Sequence, residues 1–96
     1  MIQVKLEIVA PLARLSGDNT DFMERVNEGT TVKDLLIGLC TKHTNFADVV
    51  FCTGSDKLSG QVDILINGRY LDLQDGLSTI LANGDIVSLL PVFEGG

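Results

Sequence analysis

Ile2, Val4, Leu6 and Ile8 alternate with Gln3, Lys5 and Glu7, and a period of two predicts a strand with one buried face. Pro11 closes that run. Leu12 to Asp21, carrying Gly17, Asp18 and Asn19, predicts a loop. Phe22 to Val26 predicts a second strand, although adjacent apolar Phe22 and Met23 leave its inward face open. The period then changes. Val32, Leu35, Leu36, Leu39 and Cys40 fall at i, i+3, i+4, i+7 and i+8, the stripe of an amphipathic helix over about residues 31–43. Thr31 is its expected N-cap, with Asp34 completing a short-armed capping box. Asp34 in the first turn and Lys42 near the last also suit the helix dipole.

Residues 44–60 are less regular; Phe46, Val49, Val50 and Phe51 fit a short helix or an irregular packed segment, and Thr53 to Ser59 a turn. Val62 to Ile66 predicts a strand, and Asn67-Gly68 directly after it is a strong hairpin signal. Tyr70, Leu71 and Leu73 would form the return strand. Asp75-Gly76 marks a turn and Leu77 to Leu81 one helical turn. Asn83-Gly84-Asp85 turns the chain into a last strand, Ile86 to Leu90, which Pro91 is expected to stop. A hairpin, a helix lying across it and further strands make an α+β domain with the helix on one face of the sheet. The expected organisation is one domain over 1–90 and a tail over 91–96.

Composition narrows the class. With 96 residues and 45% hydrophobic content the chain can build one folded core. A formal charge of −6 argues against tracking nucleic-acid phosphates, and against docking on anionic membranes. No apolar run approaches the length of a membrane span. Cys40 and Cys52 are too few for a disulfide framework, so the expected setting is cytoplasmic with reduced thiols. Cys40 continues the helix stripe and reads as core. Cys40 and His43 are one helical turn apart, but two ligands without a second pair make no metal site. His43 reads as a solvated residue at the helix end. No nucleophile–base motif and no phosphate-cradling loop is present, and a β-grasp ferredoxin would need four cysteines.

Three segments carry a resemblance. Thr31-Val32-Lys33-Asp34-Leu35-Leu36 is similar to the helix start of ubiquitin-like sulfur carriers, and Ile66-Asn67-Gly68-Arg69 to their hairpin. Leu81 to Pro91 resembles their closing turn and strand, which leads to a Gly-Gly end as it does here at Gly95-Gly96. Together the segments most resemble the small, sulfur-carrying subunit of molybdopterin synthase. The resemblance implies a β-grasp fold, a mixed sheet with one main helix across it. It implies that the chain is not itself an enzyme and binds no cofactor. An adenylating enzyme of the ubiquitin-activating type would consume ATP to activate the Gly96 carboxylate, which then becomes a thiocarboxylate. The acceptor would be the molybdopterin synthase large subunit or another sulfur-accepting enzyme. Pro91, Val92, Phe93, Glu94 and Gly95 would form the partner-binding tail, which departs from the family pattern in having Val92 where a second proline is usual and the bulky, charged Glu94 near the glycines.

Glycine lacks Cβ, so partner backbone can close over such a tail from any side. Val87, Leu89 and Asp85 are the expected docking surface, and Asp72, Asp75, Asp85 and Glu94 an acidic field steering toward a basic partner. Related carriers serve thiamin synthesis, tRNA thiolation and cysteine synthesis. A modifier forming isopeptides through Gly96, and a passive β-grasp interaction module, are the other readings.

Overall fold

The structure, a computed structural model, describes residues 1–9, 12, 21–51, 57–71 and 74–92. Its elements in chain order are β1 (Ile2–Ile8), β2 (Asp21–Val26), α1 (Val32–Lys42), α2 (Ala47–Val50), β3 (Val62–Ile66), β4 (Arg69–Tyr70) and β5 (Ile86–Pro91). Single 3-10 turns precede α2 at Thr44–Phe46 and β5 at Gly76–Ser78. The sheet order is β2-β1-β5-β3-β4. The first and last strands are parallel neighbours at its centre, and every other pair is antiparallel. This is the expected β-grasp arrangement.

Alternation along β1 does as the sequence predicts: Ile2, Val4, Leu6 and Ile8 are buried against α1. Register settles the inward face of β2. Leu6 pairs with Phe22, so Phe22 turns inward and Met23 is left exposed. The helix presents Val32, Leu35, Leu36 and Leu39 to the sheet, with Cys40 half-buried beside them. Burial pushes the Cys40 thiol up, so it stays protonated at neutral pH.

The start of α1 is tied down from two sides. The Asp34 N–H donates to Thr31 Oγ1 at 3.2 Å and the Thr31 N–H to Asp34 Oδ2 at 3.3 Å, closing the capping box. The Val32 N–H, which no helical carbonyl can reach, donates to the Thr79 carbonyl at 2.9 Å. At the far end Lys42 Nζ lies 3.1 Å from Glu24 of β2, linking helix to sheet edge.

Four expectations change. His43 is not a solvated helix end: it is half-buried, with its ring 5.7 Å from Phe22 and 6.4 Å from Phe46, because the 3-10 turn folds the chain back onto β2. The return strand β4 starts at Arg69 and stops at Tyr70, after which Leu71 drops into the core. The predicted helical turn sits slightly earlier, at Gly76–Ser78, because Ile80 is taken into a β-bridge with Thr31. Pro91 does not stop the last strand; it pairs with Val62 inside β5. Pro11, Leu73 and most of the predicted turn over 53–59 lie outside the described residues, as does Cys52.

Leu36 is fully buried and its neighbour Ile37 faces solvent. We expect Leu36→Ala to lower unfolding free energy by about 2–5 kcal/mol and Ile37→Ala by no more than roughly 0.5 kcal/mol. Urea titration followed by circular dichroism would check the pair, with equal losses contradicting the packing described.

Candidate functional site

The end of β5 is where the chain leaves the sheet. Two turns at the opposite end set the strand's register. In the β3–β4 hairpin Asn67 has φ 53° and Gly68 φ 81°, the left-handed pair that Asn-Gly adopts readily. The Asn67 side chain then reaches across to β5: Oδ1 accepts the Ile86 N–H at 2.9 Å and Nδ2 donates to Asp85 Oδ1 at 3.0 Å. Asp85 Oδ2 accepts the Ala82 N–H at 2.7 Å. Asn83 Oδ1 accepts the Gln3 N–H at 2.9 Å, and the Gly84 N–H donates to the Gln3 carbonyl at 2.8 Å. One polar cluster thus joins the hairpin, the last turn and the first strand. Asp85, half-buried, is a member of that cluster.

From this anchor β5 runs between β1 and β3. The Val9 N–H donates to the Leu89 carbonyl at 3.0 Å, and the Val92 N–H to the Gln61 carbonyl at 3.1 Å. Leu89 therefore turns its main-chain groups toward β1, and Pro91, two residues on, turns the same way. Its missing N–H faces the side where the β1 ladder has already ended at Ile8↔Leu89, so proline sits in the strand without breaking a pair. Main chain is held through Val92. Four residues, 93–96, follow, and an extended chain of that length reaches about 14 Å at most. Phe93, Glu94, Gly95 and Gly96 lie outside the described residues, as do Asp72 of the acidic set and the details of any acidic field.

Val87 and Leu89 are fully buried against the helix side and cannot form a docking surface. The side chains that face away from the helix on β5 are Ile86, Ser88 and Leu90, each half-buried. Leu65 of β3 lies beside Ser88, and exposed Tyr70 of β4 beside Leu65. Half-exposed Val9 follows the end of β1. Through this face, which no described element covers, runs a polar seam in which Lys5 Nζ sits 3.4 Å from Glu7, and Ser88 Oγ donates to Glu7 Oε2 at 3.3 Å. These apolar positions escape a linear reading because Ile86 to Leu90 is almost continuously apolar. Only the register with β1 shows which alternate set is inside.

A cleft of about 100 Å³ between α1 and β2 is floored by Leu6, Leu35 and Leu39 and crossed at its rim by Lys42 and Glu24. That is well short of the roughly 300–1,000 Å³ typical of small-molecule sites. Among the described residues no group of three His, Cys, Asp or Glu side chains could hold a metal ion, and no helix is long and apolar enough to cross a membrane.

A mixed sheet gripping one main helix, with its last strand central, defines a ubiquitin-like protein of the β-grasp fold. The chain belongs to the ThiS family, whose pattern matches residues 6–96. It is 30% identical over 95 residues to small archaeal modifier protein 3 of Haloferax volcanii, covering 99% of this chain and 100% of that one. Its fold matches the solution structure of small archaeal modifier protein 1 from Methanosarcina acetivorans with a TM-score of 0.84 at 31% identity, covering 100% of this chain and 98% of that one. A Pyrococcus furiosus protein described as molybdopterin converting factor subunit 1 matches with a TM-score of 0.77 at 29% identity, covering 95% of this chain and 98% of that one.

Removing the Asp85 carboxylate leaves the Ala82 N–H and the Asn67 amide without their partner. We expect Asp85→Ala to destabilise the fold by about 1–3 kcal/mol and to speed amide exchange at Ala82 and Ile86 ahead of Val4 or Leu36. Uniform exchange across these amides would show that the cluster does not act as a local clamp.

Proposed function

We propose that the chain is a sulfur carrier whose working group is the main-chain carboxylate of Gly96. The observation that carries this reading is the placement of β5: a central strand, clamped at its start, that delivers Val92 to one fixed point four residues short of Gly96. A carboxylate is a poor electrophile because its charge is delocalised and oxide leaves badly. Attack of the Gly96 carboxylate on the α-phosphorus of ATP, within a separate adenylating enzyme, gives the acyl-adenylate and releases pyrophosphate. Hydrosulfide then adds to the acyl carbon, AMP leaves, and a proton is lost to give the thiocarboxylate. The carrier supplies the acyl group and the partner supplies ATP and the site. Pro91 and Val92 stay with the sheet, and Phe93 to Gly96 enter the partner's channel, where the two glycines let its walls close around the main chain and Glu94 calls for a basic or solvated spot. The uncovered face with Ile86, Leu65, Leu90 and Tyr70 meets the partner's body, and the −6 charge favours a basic approach surface.

Delivery of sulfur to a pterin precursor, with the molybdopterin synthase large subunit as acceptor, is the pathway supported by the Pyrococcus furiosus match. The small archaeal modifier relatives support a second fate for the same activated carboxylate with equal weight. There a lysine ε-amine attacks the acyl-adenylate and displaces AMP, or attacks a thioester formed from that adenylate and displaces its thiol, and an isopeptide results. Both fates need the same tail and the same first step.

Incubation with ATP, the adenylating enzyme and sulfide, followed by intact-mass analysis, tests the carrier reading. One oxygen-to-sulfur exchange at the C-terminus is the expected result. Deleting Gly96 is expected to abolish it with the circular dichroism spectrum unchanged; a chain that is still thiolated without Gly96 would sink the proposal. Target peptides bearing a C-terminal remnant of this chain on lysine would establish the modifier fate. For the docking face, Leu90→Ala is expected to reduce kcat/KM for adenylation about tenfold, near 1.4 kcal/mol, and an unchanged rate would remove that face from the interface.

A further inference from the structure

The β2 edge of the sheet, unpaired among the described residues, carries a pattern that fits its own copy. In β1 the odd-numbered residues turn their main-chain groups toward β5: Lys5 N–H donates to the Asp85 carbonyl at 2.9 Å, Val9 N–H to Leu89 at 3.0 Å, and Gln3 accepts from Gly84 at 2.8 Å. The even-numbered residues therefore bond to β2, where their partners are Val26, Glu24 and Phe22. It follows that the N–H and C=O groups of Asp21, Met23 and Arg25 point out of the sheet. No other strand among the described residues pairs with that side of β2.

The side chains of the same three residues are exposed on the face away from α1. They read acid, apolar, base. Run against itself in antiparallel register about Met23, this triplet places Asp21 opposite Arg25 of a second copy, Met23 opposite Met23, and Arg25 opposite Asp21. Each matched position is one whose main-chain groups already point outward, so ladder bonds and charge pairing select the same register. Edge strands normally discourage such pairing with charges. Like charges would do that here; opposite charges placed symmetrically about an apolar residue do the reverse.

A second observation points the same way. Within one chain Asp21 lies directly opposite Glu7, a like-charge cross-strand pair, which is unfavourable. The neighbouring cation Lys5 reaches Glu7, while Asp21 has no ion pair among the described residues. Arg25 of a second copy would supply the missing positive charge.

We propose that β2 pairs with β2 of a second copy, joining two sheets into one continuous sheet with two-fold symmetry. The two faces away from α1 then lie on the same side, and the two β5 strands end at opposite ends of the joined sheet. The contact is short, well under the roughly 1,200 Å² of a stable interface, and the association is correspondingly weak and salt-sensitive.

Sedimentation velocity and NMR translational diffusion between roughly 10 μM and 1 mM chain would detect it, with dimer growing with concentration and shrinking at high salt. Asp21→Arg and Arg25→Asp each turn both cross-copy pairs into like charges, and each is expected to weaken self-association at least about tenfold. Mixed together, the two variants face each other with both pairs complementary, and the mixed dimer is expected to recover wild-type affinity. Circular dichroism confirms that each variant is folded. A wild-type chain that stays monomeric throughout, variants that associate as the wild type does, or a mixture of folded variants that fails to associate would each overturn the proposal.

Discussion

The parallel pairing of β1 with β5 is the contact on which the remaining architecture rests. Leu6 meets Val87 and Ile8 meets Leu89, bringing together segments at the two ends of the chain. Neither strand could find its register alone. β1 is held by β2 through one set of main-chain groups and by β5 through the other, and β5 in turn carries β3 and the short β4. The helix covers the one face that these pairings turn apolar. Contacts so distant in sequence form only after the long connection has been ordered, which places the fold on the slower side for its size. Once formed, they fix where the last strand begins and ends.

Apolar packing supplies most of the stability of such a sheet, but it does not choose the register of β5. Ile86 and Leu90 would suit a greasy interior almost as well as Val87 and Leu89, so a slip of one residue would exchange the two faces with Ser88 as the one polar side chain turned inward. The polar cluster of Asn67, Asp85 and Asn83 with Gln3 removes the ambiguity, since its side-chain oxygens accept particular backbone N–H groups. The sheet face away from the helix and the exit point of the chain inherit their positions from those few hydrogen bonds.

Locally encoded features were legible in the sequence. The alternation of β1, the capping box at Thr31 and Asp34, the helix stripe and the Asn67-Gly68 turn all depend on residues within one or two turns of each other. Features decided by distant partners were not. The inward face of β2 follows from its pairing with Leu6, and the burial of His43 from the return of the chain onto Phe22. Val87 and Leu89 read as a surface although they are core, because an apolar strand near the middle of a sheet shows no alternation. Pro91 read as a stop because its effect depends on which neighbour its missing N–H faces. The chemical end of the candidate site, Gly95-Gly96, is legible only as a pattern, whereas its platform on Ile86, Leu65 and Leu90 needs the registered sheet.

The central position of β5 also governs how the protein responds to force. A partner that draws the tail into a channel pulls along the axis of a strand flanked on both sides, β1 parallel and β3 antiparallel. Such a pull loads the flanking hydrogen bonds in shear, together, whereas an edge strand peeled from its end would release them one at a time. Resistance to forced unfolding is set by the rate of crossing that barrier. In the proposed carrier role the body would therefore act as a mechanical stop at the mouth of the partner's channel.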